Sequence, residues 1–99
     1  MDLNVICIPV LGATRVWLRC SPLPRQGEFE PNAWPHHPCE DQHNGWWKKN
    51  VTSLGLATGT YEYEFVIDRA DGTSIISADP YAEEITRFSG YRGIIHIHN

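Results

Sequence analysis

Thr60-Tyr61-Glu62-Tyr63-Glu64-Phe65-Val66-Ile67-Asp68 (TYEYEFVID) is the stretch whose reading decides the fold class of this chain. Tyr61, Tyr63, Phe65 and Ile67 recur at every second position, with Glu62, Glu64, Val66 and Asp68 between them. A strand sends successive side chains to opposite faces, so this spacing predicts a strand with one aromatic face and one more polar face. Ala57-Thr58-Gly59 turns the chain into it, and Asp71-Gly72 is a hairpin-type turn leading out.

The same grammar of short apolar or alternating runs, cut by Gly, Pro, Asn and Asp, extends in both directions. Downstream, 73–77 (TSIIS) reads as a short strand and Ala78-Asp79-Pro80-Tyr81 as a sharp corner. Residues 82–86 read as irregular, Ser89-Gly90 as a turn, and 93–98 (GIIHIH) as the last strand. In that strand Ile95 and Ile97 point one way, and Ile94, His96 and His98 the other. Upstream, 46–54 (WWKKNVTSL) reads as one strand or a bulged pair, and 3–9 (LNVICIP) as the first strand. Residues 14–20 (TRVWLRC) alternate, with Val16, Leu18 and Cys20 on one face and Arg15, Trp17 and Arg19 on the other. Trp17 is thereby expected to be partly exposed or at an interface.

Between Ser21 and Asn44 no periodicity survives. Pro22, Pro24, Pro31, Pro35 and Pro38 fall there, and proline cannot donate to a sheet ladder. A long irregular loop over 21–44 is the expectation, of a length that is usually functional or disordered. No stretch carries a helix of useful length. The fold class expected is all-β: one sandwich of about six to eight short antiparallel strands over residues 1–99.

Composition narrows the function classes. The 99 residues are 41% hydrophobic and 20% charged, as in an ordinary globular domain. A net charge of −4 argues against a nucleic-acid partner, which needs a basic stripe. No apolar run approaches the ~20 residues that span a bilayer, so no membrane partner is expected. Met1-Asp2-Leu3-Asn4 lacks the basic start of a signal peptide, and the expected location is cytoplasmic. The odd count of three cysteines, Cys7, Cys20 and Cys39, points to reduced thiols, with Cys7 and Cys20 as small core residues.

The segment from Gly45 to Ile97 resembles carbohydrate-binding module family 48. This is the early-set, immunoglobulin-like N-terminal domain of glycoside hydrolase family 13 (α-amylase superfamily) enzymes, with a cousin in the glycogen-binding domain of the AMP-activated kinase β subunit. The residues that carry the likeness are Gly45-x-Trp47, Val51-x-x-Leu54 and Gly59-x-Tyr61-x-Tyr63-x-Phe65-x-x-Asp68. Asp79-Pro80-Tyr81-Ala82 and Ile94-Ile95-His96-Ile97 continue it, while Asn32-Ala33-Trp34 and 14–18 (TRVWL) extend it upstream. The resemblance implies an accessory module that packs on the catalytic domain of its own polypeptide and contacts α-glucan. A chain ending at His98-Asn99, directly after a strand, fits a domain of a longer protein. The alternatives are an autonomous starch- or glycogen-binding module and a protein-interaction scaffold.

In the cousins two tryptophans, a lysine and an asparagine hold the sugar. Trp34 matches the first tryptophan; Ile76, Glu64 and Arg92 or Gly93 stand where the other three belong. The usual site is therefore mostly replaced. Trp34, Trp46 and Trp17 remain as carbohydrate-binding candidates, because pyranose rings stack on flat aromatic faces. Trp47 is expected in the core.

No catalytic residue, metal site or cofactor is assigned. Glu62 and Glu64 share a strand face about 7 Å apart, within the range of inverting glycosidases, but are expected to face solvent and pair with Lys48 and Lys49. His36-His37-Pro38-Cys39-Glu40-Asp41-Gln42-His43 holds zinc-ligand types without a second separated pair, and is expected to be a solvated loop. His96 and His98 offer two ligands at best.

Overall fold

A computed structural model of the chain describes residues 5–23, 34–82, 84–86 and 92–98, apart from the side chains of residues 5, 7, 23, 52 and 53. Its strands are β1 (Val5–Pro9), β2 (Ala13–Leu23), β3 (His36–Pro38), β4 (Glu40–Asp41), β5 (Trp46–Asn50), β6 (Gly59–Arg69), β7 (Ser74–Ser77) and β8 (Gly93–Ile97). One 3-10 turn, Val51–Leu54, follows β5. Among the described residues no helix is long and apolar enough to cross a membrane.

The strands make two antiparallel sheets. The smaller has the order β1-β5-β4; the larger has the order β3-β2-β6-β7, with β8 also on β6. The all-β sandwich expected from the alternation is what the chain builds. β6 is the spine of the larger sheet. β2 runs along one of its edges, from Leu23↔Thr60 to Ala13↔Arg69. Its other edge is divided: β8 pairs with Gly59–Tyr63 and β7 with Phe65–Asp68, which leaves Glu64 at the fork.

The core lies between the sheets. Ile6, Ile8 and Trp47 from the smaller sheet meet Val16, Leu18, Cys20, Tyr61, Tyr63, Phe65, Ile67 and Ile97 from the larger. Tyr63 and Phe65 pack edge-on, with ring centroids 6.0 Å apart. The Tyr63 hydroxyl donates to Asp79 Oδ2 at 2.6 Å, tying the Asp79-Pro80 corner to the spine. Burial above all, with the Asp79 carboxylate beside it, holds the Tyr63 hydroxyl far up, so it stays a donor. Gly72, at φ +86°, closes the β6–β7 hairpin in a conformation that side chains resist.

Several local expectations need correction. The 46–54 segment is a five-residue strand followed by a 3-10 turn, not a strand throughout. The 21–44 stretch is not loop throughout: β2 continues to Leu23, and β3 and β4 lie inside it. Pro22 is tolerated because β3 accompanies β2 only as far as Arg19, so among the described residues nothing pairs with that edge at Pro22. Residues 3 and 4 of the first expected strand, the 89–90 turn and the Cys7 side chain lie outside the described residues. Cys20 is buried and its thiol is pushed up to about 11 by burial.

Candidate functional site

The outer face of the larger sheet carries a buried polar cluster, and the register explains it. Arg19 on β2 lies directly across from Glu64 on β6. Tyr63 pairs with Gly93 on the opposite edge, so Arg92, one residue earlier, arrives beside Glu64 at the fork. Arg19 donates to Glu64 Oε2 through Nε at 3.0 Å and Nη2 at 2.5 Å. Arg92 Nε donates to the other oxygen, Oε1. Arg92 Nη1 also lies 3.7 Å from Glu62 Oε1. Glu62 and Glu64 are only 0% and 3% exposed.

Trp34 covers this cluster. The Arg92 guanidinium stacks 5.3 Å from the centre of its ring, and the indole is 9% exposed. His36 Nδ1–H donates to the Trp34 carbonyl at 2.7 Å. Arg92 is itself clamped: its N–H donates to Thr86 Oγ1 at 2.9 Å, and its carbonyl accepts from Thr86 N–H at 2.7 Å. Both Thr86 and Arg19 are buried.

This overturns two expectations. Glu62 and Glu64 do not face solvent, and Glu64 pairs with Arg19 and Arg92, not with Lys48 or Lys49. Lys48 instead reaches Glu40, 3.8 Å away in the smaller sheet. The cause is non-local: Trp34 and the Thr86–Arg92 clamp cover a sheet face that would otherwise be wet. Charged groups taken out of water need close partners, and the two arginines supply them to Glu64.

Trp17 lies on the same face, half-buried. Its Nε1–H donates to Asp68 Oδ2 at 3.0 Å, and the Arg15 guanidinium sits 5.9 Å from its ring centre. Hydrogen bonds from Ser74 and Trp17 hold the Asp68 carboxyl below its usual value. Ile76, where the cousins carry their second tryptophan, is cross-strand from Val66 and exposed.

Trp46 stands apart from both. It belongs to the smaller sheet, paired with Pro9, and is 38% exposed while its neighbour Trp47 is buried. Tyr81, at 62% exposed, lies beside it with ring centroids 6.0 Å apart and planes tilted by 35°. The Asp79 side chain holds the corner that carries Tyr81, accepting from its N–H through Oδ1 at 2.8 Å. The start of β5 and the 79–81 corner thus meet at one exposed aromatic surface.

So the three candidate tryptophans do not form one site. Trp34 and Trp17 share the outer face of the larger sheet, and Trp46 lies on the smaller one. Arg19, Arg92, Thr86 and Tyr81 were not singled out as site residues. The cross-strand match of an arginine on β2 with a glutamate on β6 was the available signal for the first. The 36–43 stretch forms β3, β4 and the turn after them; among the described residues no three metal-ligating side chains come together. His37 and Cys39 belong to this stretch. Burial lowers His37, with Lys49 and His36 adding to the effect, and pushes the Cys39 thiol up to about 12.

No family model, curated protein or solved structure matches the chain.

Proposed function

We propose that the chain is a non-catalytic accessory module of an α-glucan-acting enzyme of the α-amylase or branching-enzyme type. In this reading it is an early-set, immunoglobulin-like domain that packs on the catalytic barrel of its own polypeptide and touches α-glucan. The observation that carries the reading is the exposed Trp46–Tyr81 pair. Two tilted rings side by side suit a twisted α-glucan chain, whose sugars present apolar C–H faces in succession. Leu11, 93% exposed, approaches Gly45 next to Trp46 and widens the apolar surface available to a neighbouring domain. The position that binds sugar in the cousins is filled here by the chain's own Arg92 and Glu64 under Trp34, so glucan contact moves to the other sheet.

The exposed Ile76 and Ile85 along the β7–β8 edge favour a second reading, a protein-interaction scaffold of the same fold. Two observations separate them. Reading the gene past Asn99 is expected to reveal an α-glucan barrel in frame; an immediate stop would overturn the accessory role. Passage over immobilised amylose is expected to be delayed and the delay abolished by free maltoheptaose. Undelayed passage would remove the glucan contact and leave the scaffold reading.

A further inference from the structure

Thr60, His96 and Glu84 form a row on the outer face of the larger sheet, away from the Trp46–Tyr81 surface. Thr60 on β6 and His96 on β8 are direct cross-strand partners. Glu84 is aligned on the far side of β8: its carbonyl accepts from Ile94 N–H at 2.9 Å, and Ile85 bridges to Gly93. His96 Nε2 lies 3.0 Å from Glu84 Oε1, and His96 Nδ1 lies 3.1 Å from Thr60 Oγ1. All three segments are fixed by backbone pairing, so the row does not depend on chance side-chain encounters.

The chemistry follows from which groups can donate. A carboxylate only accepts, so neutral His96 carries its proton on Nε2, toward Glu84. Nδ1 is then left with its lone pair, and the Thr60 hydroxyl donates into it. Hydroxyl, base and orienting carboxylate stand in line, the arrangement that activates an alcohol nucleophile. The His96 and Glu84 side chains are 46% and 57% exposed, so a reagent can reach the row. Buried Glu62 lies on the same side of β6, exposed His98 follows β8, and the Arg19–Glu64–Arg92 cluster and Asp68 lie further along the same face.

We propose that Thr60 Oγ is an activated nucleophile that accepts an acyl group from an activated ester. The bond from Thr60 Oγ to the acyl carbon forms, and the bond from that carbon to the leaving oxygen breaks. The Thr60 proton passes to His96 Nδ1 and from there to the departing alkoxide or phenolate. The product is an O-acyl threonine, and no oxidant or metal is called for. This proposal is independent of the glucan reading.

The test is exposure of the whole chain to p-nitrophenyl acetate, with intact mass and peptide mapping as the readout. One acetyl group on Thr60 is expected, gained faster than on any other hydroxyl. Thr60→Ser should retain the labelling. His96→Gln should slow it by roughly 100-fold, the low end of general-base catalysis, and Glu84→Ala by about 10-fold, with unchanged thermal melts. Label confined to lysines or histidines, or Thr60 labelling unchanged in His96→Gln, would overturn the proposal.

Discussion

Gly93 sits directly across from Tyr63 in the β6–β8 ladder, and a Cβ there would come within 2.5 Å of the Tyr63 ring. The absence of a side chain at 93 is what lets the tyrosine lie flat in the core and reach Asp79. Gly93→Ala must push the ring or the strand aside, an overpacking cost of about 1–3 kcal/mol. Urea unfolding is expected to show a lower midpoint with an unchanged slope.

Tyr63→Phe isolates the hydroxyl from the ring. Asp79 is buried, so removing its 2.6 Å donor leaves a carboxylate oxygen poorly satisfied. A loss of about 1–3 kcal/mol is expected from thermal or chemical unfolding. A Tyr63→Phe protein as stable as the parent would mean that the bond does not hold the 79–81 corner.

Glu64 accepts from both Arg19 and Arg92, so removing it takes the nearest carboxylate away from two buried cations. Glu64→Ala is expected to cost about 3–5 kcal/mol. Replacing Arg19, Glu62, Glu64 and Arg92 together with apolar residues of similar volume should cost less than the single change. Equal losses from the single and fourfold variants would show that shape, not charge, is at stake.

His37 gives stability a dependence on mild acid. Its Nε2 is buried with no hydrogen-bond partner among the described residues, and burial, then Lys49 and His36, lower its pKa from 6.5. The unfolded chain therefore takes up the proton first as pH falls. The contribution is fully present above about 6.5 and is lost as pH falls below that value toward the folded pKa. Melting temperature should fall from about pH 7 to pH 5, and less steeply in His37→Gln. Parallel profiles for the two proteins would contradict this.

How much was legible in the sequence follows from the range of the interactions. Tyr61, Tyr63, Phe65 and Ile67 announce their strand because alternation is a local property, and each of them is buried. Val16, Leu18 and Cys20 do so for the same reason. β3 and β4 left no trace because three and two residues are too short to show a period. The burial of Arg19 and Glu64 was hidden because it depends on Trp34 and Arg92, which are remote in sequence. The Trp46–Tyr81 pairing was hidden likewise: alternation marks Trp46 as outward, but nothing local brings Tyr81 to it.

Glucan contact at the Trp46–Tyr81 pair is tested most directly by titrating tryptophan fluorescence with maltoheptaose in three proteins: the parent, Trp46→Ala and Trp34→Ala. Quenching or a blue shift is expected in the parent, its loss in Trp46→Ala, and its retention in any Trp34→Ala protein that keeps its fold by circular dichroism. A response that survives in Trp46→Ala and disappears in folded Trp34→Ala would contradict that contact, placing the glucan on the larger sheet.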